Sequence, residues 1–170
     1  MADALIVKLP TEIGAVMALI TTTNGYSQTI PATGIVYDSM DDLRVEKTDL
    51  TRFPRVEIVV GESEITYEAE DNEMDTVAAP VIIKGYLALS DAQAPVDDTL
   101  AHRTLILNFA ADIRKAVRSV YSRQQSGAFE MSHFLLITPI TQRVFSDTMH
   151  NMLGVTTEFM MSFDLDFDTL

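Results

Sequence analysis

The sequence predicts an α+β fold, an antiparallel or mixed β-sheet packed against one long α-helix, with a second helix near the N-terminus. Three observations predict it. In residues 155–168, Phe159, Met161, Phe163, Leu165 and Phe167 alternate with Met160, Ser162, Asp164, Asp166 and Asp168, and a period of two gives a strand one apolar and one polar face. Residues 97–122 instead repeat apolar groups at three- and four-residue spacing, as a helix with one buried side does. The other strands stand before and after that helix, and they alternate without being continuously apolar, which favours a sheet covered by helices on one face.

The elements follow in order. A first helix is expected from about Thr11, after Pro10, with Ile13, Val16, Met17 and Ile20 on one face. It should stop within residues 21–25, where β-branched residues give way to an Asn24-Gly25 turn. Residues 22–52 read as an irregular segment holding a short strand at 35–37 and a helical turn at 41–45. Pro54 can begin a strand but not occupy its middle. After it, Val56, Ile58 and Val60 alternate with Arg55, Glu57 and Val59, and Ile65, Tyr67 and Ala69 alternate with Glu64, Thr66 and Glu68. This is a pair of antiparallel strands, or one strand bent at Gly61. Residues 76–89 form a third extended stretch, with Val77, Ala79, Val81, Ile83, Gly85, Leu87 and Leu89 on one side and Pro80, Ile82, Lys84 and Tyr86 on the other. Pro80 removes a ladder donor and marks an edge or a bulge.

The long helix has Asp97 and Asp98 in its first turn and a stripe of Leu100, Ile106, Phe109, Ala110, Ile113, Val117 and Val120. Arg114, Lys115, Arg118 and Arg123 stand toward its far end, so both termini carry charge that suits the helix dipole. Two long strands, 134–145 and 155–168, close the chain. The strand at 76–89 and the final strand are both longer than the usual five or six residues, and such long alternating strands are candidates for pairing with another chain.

Length and composition fit one domain over residues 1–170: 47% of the residues are apolar and 22% charged. No apolar run approaches the roughly 20 residues of a membrane helix, and a soluble protein is expected. Asp3, Lys8, Pro10 and Glu12 interrupt the apolar N-terminus, against a secretory signal. The chain has no cysteine, hence no disulfide, thiolate metal site or thiol nucleophile. Twelve Lys and Arg against 25 Asp and Glu give a formal charge of −13, which disfavours binding to nucleic-acid phosphates. Within residues 62–75, Glu62, Glu64, Glu68, Glu70, Asp71, Glu73 and Asp75 occur without a Lys or Arg. Such a run is a solvated acidic hairpin, or a surface that repels DNA or attracts a basic partner.

Catalytic signatures are absent. There is no glycine-rich phosphate loop or paired-histidine helix, and Gly61-Glu62-Ser63-Glu64 lacks the second glycine of a nucleophile elbow. His102, His133 and His150 are scattered. Asp164, Asp166 and Asp168 superficially suggest a calcium loop, yet the required glycine and distal glutamate are missing. They read better as an acidic stripe facing solvent or a lumen than as a weak cation site. The chain is therefore expected not to be an enzyme, and no catalytic, cofactor or metal residue is assigned.

The segment Phe53-Pro54-Arg55-Val56-Glu57-Ile58-Val59-Val60-Gly61-Glu62-Ser63-Glu64, then a polar loop, Val81-Ile82-Ile83-Lys84-Gly85-Tyr86, the helix around Asp112-Ile113-Arg114-Lys115-Ala116-Val117 and two terminal alternating strands together resemble the tail terminator, or tail completion, proteins of long-tailed bacteriophages. The resemblance implies a structural virion protein at the head-proximal end of the tail, assembled from the host cytoplasm. It implies a homo-hexameric ring that caps the tail tube protein, ends elongation and joins the head-completion (connector) protein, while DNA passes through the channel without specific binding. It implies neither a cofactor nor a membrane. The interface or lumen candidates are Glu62, Glu64, Glu68, Glu70, Asp71, Glu73, Asp75, Arg114, Lys115, Arg118, Asp164, Asp166 and Asp168. Two rivals are an acidic DNA mimic or other acidic protein-binding module, and an enzyme with a carboxylate site at Asp164 and Asp166.

Overall fold

The computed structural model describes residues 2–37, 50–61, 64–66, 74–89, 99–125, 134–147 and 152–166, with side-chain packing defined for 9–37, 51–61, 78–89, 100–119, 140–146 and 152–162. It is an α+β sandwich of one mixed sheet and two helices. The chain runs α1 (Ala2–Met17), β1 (Ile35–Tyr37), β2 (Arg55–Val60), β3 (Glu64–Thr66), β4 (Met74–Ala88), α2 (Thr99–Gln125), β5 (Phe134–Asp147) and β6 (Met152–Asp166). The sheet order is β1-β2-β4-β6-β5, and β3 also pairs with β4. Only β1 is parallel to its neighbour; the other pairings are antiparallel.

β2 and β3 behave as one strand bent at Gly61. Val60 pairs with Val81 and Glu64 with Ala78, so four steps on one strand face three on the other, leaving one extra residue. At the bend the Gly61 N–H donates to the Pro80 carbonyl at 2.8 Å. In an antiparallel ladder a residue's N–H and C=O point toward the same neighbour. The donor that Pro80 lacks therefore falls on the bulged side, where the ladder is already interrupted. A second irregularity lies in β5: Ile137 pairs with Met160 and Thr141 with Glu158, which leaves two extra residues around Pro139. β4 and β6, by contrast, pair without a break from Ala88–Met152 to Met74–Asp166.

Both helices cover one face. α2 lies on β4, β5 and β6, and α1 on β1 and β2 beside α2. The core joins Val56 and Ile58 with Ala79, Val81, Ile83, Leu87, Val155, Phe159 and Met161 from the sheet, against Ile106, Phe109, Ile113 and Val117 of α2. Burial of this set is the main force holding the layers together, at roughly 1.5–3 kcal/mol for each large side chain fully withdrawn from water. Gly85 sets the closest approach: a Cβ there would stand 2.7 Å from carbons of Phe109 and Ile113.

Several expectations change. α1 begins at Ala2, not near Thr11, and passes through Pro10. Leu9 is buried one turn before Ile13, so its packing offsets the hydrogen bond that the proline cannot donate. Leu100 is 74% exposed and outside the core; it stands in the first turn of α2, ahead of the first core residue, Ile106. The 22–52 segment is partly regular, with 3₁₀ turns at Thr22–Asn24, Ala32–Gly34 and Leu50–Arg52 around β1. The helical turn expected at 41–45, and the packing of Phe163, Leu165 and Phe167, lie outside what is described. Among the described residues no helix is long and apolar enough to cross a membrane.

Candidate functional site

The antiparallel register brings the two predicted acidic stretches to one end of the sheet. Asp75 pairs with Leu165, Thr76 with Asp164 and Met74 with Asp166, on strands about 5 Å apart. Glu64 of β3 pairs with Ala78 on the other flank of β4. Asp75 is out of phase with Asp164 and Asp166, so these three positions do not form one cross-strand set. Glu62, Glu68, Glu70, Asp71, Glu73 and Asp168 lie outside the described residues. Among the described residues no group of three or more histidine or carboxylate side chains is placed to hold a metal ion.

The basic stretch of α2 is partly structural. Arg114 donates through Nε to Gln142 Oε1 at 2.9 Å and through its terminal nitrogen to the same oxygen. The Gln142 amide then donates to the Ala110 carbonyl at 2.7 Å and to the buried Thr157 hydroxyl at 3.0 Å. Gln142 is thus a polar bridge between α2, β5 and β6. Lys115 donates to the Gly25 carbonyl at 3.2 Å and stands 4.4 Å from the centre of the Tyr26 ring. Beside it, buried Asp112 accepts from the backbone N–H and the hydroxyl of Ser27 at 2.9 and 2.5 Å. These bonds pin the 21–30 loop to α2. Arg118 is exposed and forms no hydrogen bond or ion pair with another described residue; the same is true of Arg143 on β5.

No protein-family model and no curated protein matches the chain. Its surfaces must therefore be judged by their chemistry.

The face of the sheet turned away from the helices carries groups that sequence reading missed. Across β2, β4, β6 and β5 one row is Arg55, Tyr86, Gly154 and Phe145, and the next is Glu57, Lys84, Thr156 and Arg143. Arg55 and Glu57 are only 3% and 2% exposed. Glu57 is 3.6 Å from the Lys84 ammonium, which offsets part of the cost of burying its charge. Tyr86 meets Phe145 edge-on, with ring centres 6.3 Å apart at 78°. Burial pushes the Tyr86 hydroxyl above its ordinary value of 10.0; the nearby Glu57 charge pushes the same way, and Arg55 opposes them. A signal for this face existed in the sequence: the supposedly outer phase of residues 76–89 holds Ile82 and Tyr86, both bulky and apolar in body.

Beside that face runs β5, the last strand of the sheet. It is 14 residues long, and no other described strand pairs with its outer edge. Val144 and Phe145 on it are each 44% exposed. An aromatic, an aliphatic and an arginine along an unpaired edge are suited to holding a protein surface, with affinity from the apolar groups and orientation from the charge.

Proposed function

We propose that the chain is a structural virion protein, a tail terminator. Six copies form a ring that caps the completed tail tube, stops further tube subunits from adding, and presents a surface to the head-completion protein. It acts at the head-proximal end of the tail and has no catalytic role. The observation that carries this reading is the 14-residue edge of β5. So long an edge is a ready template for association with another chain, and closed rotational symmetry satisfies it in every copy without growth into a filament. The charge supports the same reading. Six copies carry about −78, six times −13, and a channel wall that does not bind phosphate lets DNA slide.

The test is genetic. In a phage lacking this chain, tubes should lose their length control and remain unjoined to heads, and the chain supplied in trans should restore both. Tails of normal length and full joining in its absence would overturn the proposal.

A further inference from the structure

Two groups of like charge stand at different levels of the sheet. Gln142 pairs with Thr157 on β6, and Arg114, bonded to Gln142, is fixed at that level. The acidic end at Asp164 is seven residues further along the same strand, about 23 Å at 3.3 Å per residue. That is well beyond the screening length of about 8 Å at physiological salt, so the two regions scarcely neutralise each other within one molecule.

The cations also flank the outer edge of β5, which no other described strand pairs. Arg114 and, one turn later, Arg118 lie on the helix side of β5, while Arg143, next to Gln142 in the strand, belongs to the opposite face. A chain lying along the outer edge of β5 would meet positive charge on both sides. At the other end of β6 stand Asp164 and Asp166, in one phase opposite Thr76 and Met74 of β4, with Asp75 in the other phase. Two separated groups of opposite charge pair either twice across a two-fold axis or once per neighbour in a head-to-tail contact, and the ring reading requires the second.

We propose that the β5 edge with Arg118 and Arg143 is a subunit contact, occupied by the acidic β4–β6 end of a second copy of this chain. The contact rests on the ring reading for its biological setting and names the surfaces that join neighbours. It is salt-sensitive, because attraction between charged groups on two chains is screened by ions. Arg114 and Lys115 contribute charge but are also needed inside the fold, so Arg118 and Arg143 are the residues to vary.

The experiment compares the purified full chain with the variants Arg118→Glu/Arg143→Glu and Asp164→Lys/Asp166→Lys by light scattering at low and high salt, with circular dichroism to confirm folding. The wild type should assemble more readily at low salt. Each folded variant alone should need about tenfold more protein to assemble. The two variants mixed should recover, because the reversed faces complement each other and the unreversed ones still do. Asp164→Asn/Asp166→Asn serves in place of the lysine variant if that one does not fold; it should weaken assembly without recovery on mixing. If the wild type forms a ring and all variants form it equally well, this contact is wrong while the ring stands. If charge-dependent, mutually rescued assembly yields a filament or another stoichiometry, the contact stands and the hexameric reading falls. A wild type that is monomeric at every salt and concentration overturns the contact.

Discussion

The ring of Phe145 lies over the backbone of Gly154, its cross-strand partner: a Cβ on Gly154 would overlap the Phe145 ring. The glycine leaves a bare patch on β6, and the aromatic covers it from β5 while meeting Tyr86 of β4 edge-on. This arrangement restores packing that a strand glycine forfeits. Gly154→Ala should destabilise the protein by about 1–3 kcal/mol through overpacking. In a Phe145→Ala background the same change should cost much less, since the obstruction is gone. Urea melts of the four proteins measure the coupling, and equal costs in both backgrounds would refute the contact.

Gln142 is expected to matter more than its position on an edge strand suggests. Gln142→Ala removes the partner of Arg114 and two bonds to Ala110 and Thr157, leaving the buried Thr157 hydroxyl without this donor. A loss of about 1–3 kcal/mol is predicted. Arg114→Ala should cost less, because its guanidinium is exposed and returns to water. Thermal unfolding of the two variants gives the ranking directly.

Phe159 sits in the core at 5% exposure, paired with Val81. Phe159→Ala should cost about 3–5 kcal/mol, a large share of a typical domain stability of roughly 5–15 kcal/mol. Its neighbour Met160, on the opposite face, should tolerate alanine with a much smaller change. Comparable losses at both positions would show that the strand register is inverted.

Alkaline pH should weaken the fold through Tyr86. Its hydroxyl stays protonated in the folded protein to higher pH than in the unfolded chain, where it titrates near 10.0. The unfolded state thus releases its proton first, and stability contributed by neutral Tyr86 is full below pH 10.0 and lost as pH rises through the folded value. Tyr86→Phe should flatten this part of the pH profile of urea unfolding. A slope unchanged in that variant would assign it to other groups.

The elements legible in the sequence were those with a strong period. The alternation of Val56 and Ile58 and of Phe159 and Met161 gave the correct inner phase for β2 and β6, and the stripe Ile106, Phe109, Ile113 and Val117 gave the inner side of α2. What escaped depends on partners distant in sequence. Pro10 is a helix-start signal in isolation, and only the burial of Leu9 in the assembled core shows why α1 begins earlier. Leu100 matches the helical stripe by spacing, but a stripe does not reveal where along a helix the sheet begins. Arg55 and Glu57 occupy the polar phase of an alternating strand, which normally means solvent; their burial follows from tertiary surroundings. Of the candidate site residues, Arg114 and Lys115 bond within the fold, while Arg118 is exposed. The convergence of the acidic ends required the β4–β6 register, which no local pattern encodes.

Ring formation is the claim on which the functional account turns, and native mass spectrometry of the purified chain, repeated on isolated tails, tests it most directly. The account predicts a species of six copies of 18.8 kDa, about 113 kDa, either free in solution or formed on the tail end from monomers. A stable dimer in solution, with no sixfold ring on tails, would contradict it.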